Sequence, residues 1–290
     1  MAVSGYGALL DALRGVTWPA RRPSRGATAG THASRLRGAS AEFTEYRAYR
    51  QGDDPRRLDW KLLARTDRAF LRITNERATM PTIFVLDASA SMAFPSVADG
   101  KWAQACRLVV GLASVAHAAA DPVGIIVPGT PRRALPMRAR GGVIGEIARL
   151  VDGIAPGGEA ALAPVVREVE RAARLVLVTD LLGDAPALLR AASEQLARGT
   201  DCLLLHCVAR QELEPPSASV LAEDPERGDV RRALVPATRE GYRAAFDNWR
   251  AEQARAWRAA GARYVEIVDD AVPERAVRRV VGSARDEVDA

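Results

Sequence analysis

From residue 81 onward, short apolar runs alternate with longer segments in which apolar residues recur at helical spacing. The runs Thr82–Leu86 (TIFVL), Val123–Val127 (VGIIV), 175–178 (LVLV), Asp201–Val208 (DCLLLHCV) and 264–268 are four to eight residues long. Apolar on successive positions, they read as strands buried on both faces, the pattern of a parallel sheet covered by helices. Between them, 101–120 places Cys106, Val109, Val110, Ala113 and Ala116 on one helical face. Further helices are expected at 143–151, 162–172, 185–198 and 238–260, with a short one closing the chain. A strand at 134–138 should run antiparallel to 123–127, and 215–235 reads as a polar surface excursion. Strands alternating with helices predict an α/β fold: a doubly wound, mostly parallel sheet of about six strands.

The N-terminal part lacks this rhythm. Residues 15–40 are rich in Gly, Pro, Ser and Arg with no apolar period, which predicts a loosely packed arm. In the next stretch Asp53-Asp54-Pro55 resembles a helix start, a capping carboxylate before proline at the first helical position. A helix over 55–65 would turn Trp60 toward the core, and a strand should follow at 69–75. The chain thus divides into a basic arm (1–40), a helix–strand extension (41–80) and the α/β domain (81–290).

Hydrophobic residues make up 48% of the chain and aromatics 5%, so a core is affordable but must be built mainly from Ala, Val, Leu and Ile. The formal charge is +5. Apart from Lys61 and Lys101 the basic residues are all Arg, in an Ala-rich chain, so a compositional bias accounts for the excess and nucleic acid is not expected as a partner. Were it one, Arg14, Arg21, Arg22, Arg25, Arg35 and Arg37 of the arm would be its contacts. Cys106, Cys202 and Cys207 have no metal-ligand spacing and read as buried thiols. No apolar run is long enough to span a bilayer, and Asp11 and Arg14 interrupt the first apolar stretch. A cytoplasmic location is the expectation.

Two strand ends carry the chemistry. One reads Leu86-Asp87-Ala88-Ser89-Ala90-Ser91-Met92, the other Val178-Thr179-Asp180. Ligands of open α/β sheets bind beyond the carboxyl ends of the strands, where strand order reverses. The Asp-x-Ser-x-Ser spacing lets one turn aim three oxygens at one point, and Asp180 adds a second carboxylate. Such a set suits a small hard cation, Mg²⁺ or Mn²⁺. A capped turn without metal is the alternative. Enzymatic signatures are missing: no Gly-x-Ser-x-Gly elbow, no phosphate-binding Gly-x-x-x-x-Gly-Lys loop and no His-x-x-x-His helix occur. Of His32, His117 and His206, the last two fall within a helix and a strand and read as packing residues. A metal-dependent hydrolase using Asp87 and Asp180 is the alternative to a non-catalytic binding module.

The stretch GDDPRRLDWKLLART at 52–66, followed after a strand by VLDASASM at 85–92, resembles the bacterial domain-of-unknown-function family 58. The resemblance implies a von Willebrand factor A-like fold and a metal-ion-dependent adhesion site (MIDAS). It also implies an adaptor or co-chaperone role beside a MoxR-type AAA+ ATPase, with other complex subunits as further candidate partners. It assigns the metal positions to Asp87, Ser89, Ser91 and Asp180. The fifth position, usually Thr, falls on Glu159 in Gly157-Gly158-Glu159. A third carboxylate there would either close the site as an internal ligand or lie in solvent at the start of the next helix. The charged residues Asp53, Asp54, Arg56, Asp59 and Arg65 are the candidate docking surface.

Overall fold

In the computed structural model, the described residues are 5–19, 29–33, 43–50, 53, 58–74, 77–170, 172–223 and 231–286. In chain order the elements are α1 (Gly7–Ala12), β1 (Ala29–Ala33), β2 (Phe43–Ala48), α2 (Trp60–Thr66), β3 (Phe70–Thr74), β4 (Arg77–Ala78) and β5 (Thr82–Leu86). They continue with α3 (Lys101–Ala118), β6 (Val123–Val127), β7 (Arg133–Arg138), α4 (Val143–Asp152), α5 (Leu162–Glu168), β8 (Arg174–Thr179), α6 (Ala185–Ala197) and β9 (Asp201–Val208). Last come α7 (Arg210–Leu213), β10 (Val220–Glu223), β11 (Arg231–Leu234), α8 (Pro236–Ala259), β12 (Arg263–Val268) and α9 (Pro273–Asp286).

The central sheet has six strands in the order β12-β9-β8-β5-β6-β7, all parallel except the edge strand β7, which is antiparallel to β6. This is the expected doubly wound sheet. The chain leaves β5 toward β6 and β7, then crosses back to β8 on β5's other side. The gap beyond the carboxyl ends of β5 and β8 is therefore the topological switch point.

Period-two alternation along the strands divides the core in two. Phe84 and Leu86 of β5, Val176 and Val178 of β8, and Leu203 and Leu205 of β9 face α1, α3, α4 and α9. Ile83, Val85, Leu175, Leu177, Cys202 and Leu204 face α5, α6 and Trp257 of α8. With both faces covered, β5, β8 and β9 are buried at every position.

Four expectations need correction. The chain around residue 18 is not loosely packed: Tyr6, Leu9, Leu13 and Trp18 belong to the first core cluster, with Trp18 only 1% exposed. The Arg174 guanidinium lies 3.9 Å from the Trp18 ring centroid and donates to the Trp18 and Pro19 carbonyls, a tertiary partner that no local pattern reveals. Second, α2 begins at Trp60, and its N-cap is Asp59, whose carboxylate accepts from the Lys61 and Leu62 amides. With the start so far along the chain, Trp60 is first-turn and 63% exposed rather than core-facing. Third, α5 ends at Glu168; Val169 turns extended, and its carbonyl with that of Val166 accepts from Gln195 Nε2. Fourth, the polar excursion contains the antiparallel pair β10–β11.

Candidate metal centre

The Asp87 amide donates to the Val178 carbonyl (2.9 Å), so the β5–β8 pairing continues one residue past β5. Asp87 Oδ1 accepts from the Ser89 amide (2.8 Å), and Oδ2 accepts from Thr179 Oγ1 (2.6 Å). The first bond shapes the loop as an Asx-type turn; the second ties the two strand ends together. Residues 90–93 form a 3₁₀ turn that sets Ser89 Oγ and Ser91 Oγ 3.0 Å apart. A third loop closes on this one: the Gly157 amide donates to the Ala88 carbonyl (2.8 Å) and the Ala90 amide to the Gly158 carbonyl (2.9 Å). Gly158 sits at φ +66°, where a side chain would be strained. Asp87, Ser89, Ser91 and Asp180 are all 4% exposed or less.

Both carboxylate oxygens of Asp180 are engaged. Its Oδ2 accepts from Lys101 Nζ (2.7 Å), its Oδ1 from the Leu182 amide (3.1 Å), and its carbonyl faces His206 Nε2 (3.0 Å). Lys101, at the start of α3, also donates to Glu212 Oε1 of α7 (2.8 Å), and its side chain is wholly buried. Burial pulls the Lys101 ammonium down, but the Asp180 and Glu212 carboxylates outweigh it and hold the group charged. Burial holds His206 neutral, down to about 4. A neutral ring whose Nε2 donates to the Asp180 carbonyl must accept at Nδ1, so Tyr264 Oη donates to Nδ1. Burial, with the Asp180 charge second, pushes Asp87 up to about 6 against its bonds from Thr179 and Ser89.

Asp87, Ser89 and Thr179 open onto a cleft of about 750 Å³ walled by residues 159–164, Arg167, residues 181–185 and residues 187–188. Glu159 lies on its rim, exposed to solvent. It does not cap the next helix: α5 starts at Leu162, its N-cap position is Ala161, and no side chain caps it. Among the described residues, no three His, Cys, Asp or Glu side chains gather as a metal cluster, so Glu159 does not join Asp87 and Asp180 in one. Any cation here depends on a mixed set of hydroxyls and carboxylate. Adjacent ligands about 2.1 Å from an octahedral ion lie about 3 Å apart, which is the separation of the two serine hydroxyls. The two serine hydroxyls therefore match adjacent positions on a small hard cation, and Asp87, whose oxygens each accept one bond from neutral donors, keeps lone pairs for it. Asp180 fits it less well, because Lys101 already holds Oδ2.

The sequence profile of the family described as "Protein of unknown function DUF58" matches residues 45–256. The chain belongs to the DUF58 family. Relatives include the uncharacterized protein Rv1480 of Mycobacterium tuberculosis and Mb1516 of Mycobacterium bovis, each 26% identical over 283 residues, covering 90% of this chain and 85% of theirs. Among solved structures, the conserved hypothetical protein BatB from Bacteroides thetaiotaomicron is similar at 17% identity and TM-score 0.43, over 71% of this chain and 99% of that one. The SpRpn10 VWA domain is similar at 11% identity and TM-score 0.40, over 69% and 94%. The strand order gives this DUF58 chain a doubly wound, mostly parallel α/β sheet.

The remaining DUF58 signature residues lie elsewhere in the contact network. Asp53 accepts from Arg47 Nη2 (2.6 Å) and the Arg50 amide (2.8 Å), which holds its carboxyl below the usual range. Asp59 caps α2 and accepts from Tyr46 Oη (2.9 Å), and Arg65 is exposed. These bonds stay within the extension. Asp54 and Arg56 lie outside the described residues, as do Arg21, Arg22, Arg25, Arg35 and Arg37; Arg14 pairs with Asp11. Sequence reasoning missed Lys101, Glu212 and the second role of His206. Lys101 was one of two lysines in an Arg-rich chain, and that rarity was the available signal.

Proposed function

We propose that this DUF58 protein is a non-catalytic interaction module that holds Mg²⁺ or Mn²⁺ through Asp87, Ser89 and Ser91 and presents it to an acidic side chain of a partner. The observation that carries this reading is a buried carboxylate in one turn with two hydroxyls 3.0 Å apart, with Asp87 and Ser89 opening onto a cleft at the switch point. Lys101 shares its single charge between Asp180 and Glu212, so a dication at Asp87 would bring the buried cluster to about neutral, with no excess negative charge left toward the cleft. A partner carboxylate can then reach the ion's open position without net repulsion, which three carboxylates bound directly to the ion would oppose. Glu159 on the rim adds a negative charge on the path of an incoming acid. The non-catalytic reading is supported by His206, which is buried, neutral and committed to Asp180 and Tyr264.

In the adaptor role implied by the family resemblance, the partner is a MoxR-type AAA+ ATPase, with α2 and its exposed Trp60 and Arg65 as a second contact. The test is binding of the purified ATPase to the full chain in Mg²⁺ and in EDTA. Binding should need Mg²⁺ and be lost in Asp87→Ala. Equal binding in EDTA would overturn the metal-dependent part. No binding in either buffer would overturn the choice of partner.

A further inference from the structure

The Lys101 ammonium lies between two carboxylates, one of them at the end of β8 beside the candidate site. It lies 2.7 Å from Asp180 Oδ2 and 2.8 Å from Glu212 Oε1, with its side chain wholly buried and the Phe94 ring 5.9 Å away. A buried carboxylate, Asp180, and a partly buried one, Glu212, share this one ammonium. Asp180 cannot turn to present another oxygen freely, since Oδ1 is held by the Leu182 amide and the carbonyl by His206. Glu212 is anchored as well: its Oε2 accepts from the Ala209 amide (2.7 Å). Asp87 Oδ2 accepts from Thr179 Oγ1, the residue next to Asp180, so an ion on Asp87 and the Lys101 ammonium act on neighbouring carboxylates.

We propose that Lys101 is a tethered cation that competes with the divalent ion for Asp180, and that Glu212 is the berth that keeps the ammonium paired when the metal draws on Asp180. Lys101 thereby sets the metal affinity of the site. This rests on the reading of Asp87, Ser89 and Ser91 as metal ligands. The chemistry is charge exchange alone: no bond forms or breaks, and the ammonium shifts its pairing from two carboxylates toward one. The two ends of the arrangement make opposite predictions. Removing the ammonium frees Asp180 for the ion. Removing the Glu212 charge leaves the ammonium without a home in the metal-bound state, so the metal must bind against an unpaired buried cation.

The experiment is titration of the full chain with Mn²⁺ alone, read by the paramagnetic resonance of free Mn²⁺ and by calorimetry, on wild type, Lys101→Met, Glu212→Gln and Asp87→Ala. A like charge beside a site typically shifts its occupancy by about ten- to a thousandfold. Lys101→Met should therefore bind Mn²⁺ at least about tenfold more tightly than wild type, and Glu212→Gln more weakly. A second readout is the melting temperature: metal-free Lys101→Met should melt below wild type and recover on adding Mn²⁺. A merely structural ion pair would lower both melting temperatures and move metal affinity the same way in both variants. That result, or equal affinity in wild type and Lys101→Met, overturns the inference and leaves the metal reading standing. Mn²⁺ binding by Lys101→Met but not by wild type supports the inference and removes the metal from the native function. No binding in any variant overturns both.

Discussion

Asp87 ionises in a space that water scarcely reaches, with Asp180 as a neighbour of like charge. Its carboxyl is pushed from the ordinary carboxylate value of 3.8 up to about 6. A raised carboxylate means that the folded chain binds the proton more tightly than the unfolded one between about pH 4 and 6. The cost of the buried charge is absent below that window, grows through it and is complete above it. It amounts to up to about 3 kcal/mol. Without divalent metal, Asp87→Asn should therefore melt above wild type at pH 7 to 8, and the difference should vanish near pH 4. Melting curves in EDTA across that range would show it; a lower melting temperature for Asp87→Asn at pH 7.5 would contradict it. His206 works in the opposite sense. Held down at about 4 against 6.5 when unfolded, it contributes stability above pH 6.5 that is lost as the pH falls toward 4. Asp87, Ser89, Ser91 and Asp180 were readable because local spacing and a strand end define them. Lys101 was not: it meets Asp180 across 79 residues and Glu212 across 111, separations that only the crossovers bring together.

Among the elements, α2 shows how a misplaced cap misplaces a face. Asp53-Asp54-Pro55 has the composition of a helix start, yet Asp53 is spent on Arg47 and Arg50, and Asp59 does the capping. The cap position decides which residues fall in the first turn, and Trp60 went from core to surface with it. Asp59→Ala should cost about 1 kcal/mol and speed amide exchange in α2 without touching α3. Uniform exchange across both helices would count against that. Trp60→Ala should leave stability within about 0.5 kcal/mol of wild type, since so exposed a side chain buries little area. Any loss of ATPase affinity in Trp60→Ala then reports contact rather than unfolding. On the cleft rim, Glu159→Thr removes a charge facing an incoming acid and should tighten Mg²⁺-dependent partner binding by about threefold or more at low salt. Unchanged affinity there would place Glu159 out of reach of the partner.

Across the whole molecule, the doubly wound sheet was legible because its strands are continuous apolar runs and its helices keep their period. The N-terminal packing was not, because a single Trp among Gly, Pro and Arg has no period to detect. Trp18 covers the buried Arg174, so Trp18→Ala should cost about 3–5 kcal/mol in urea unfolding, as for a large core residue. A loss under about 1 kcal/mol would mean that the segment is indeed loosely held. Everything proposed for this chain depends on whether the switch point between β5 and β8 holds a divalent ion. The most direct measurement is Mn²⁺ titration of the intact wild-type chain beside Asp87→Ala and Ser89→Ala. One Mn²⁺ bound by wild type, with binding lost in Asp87→Ala and weakened in Ser89→Ala, is the predicted result. A wild type that binds no Mn²⁺, or an Asp87→Ala variant that binds it equally well, would contradict the account.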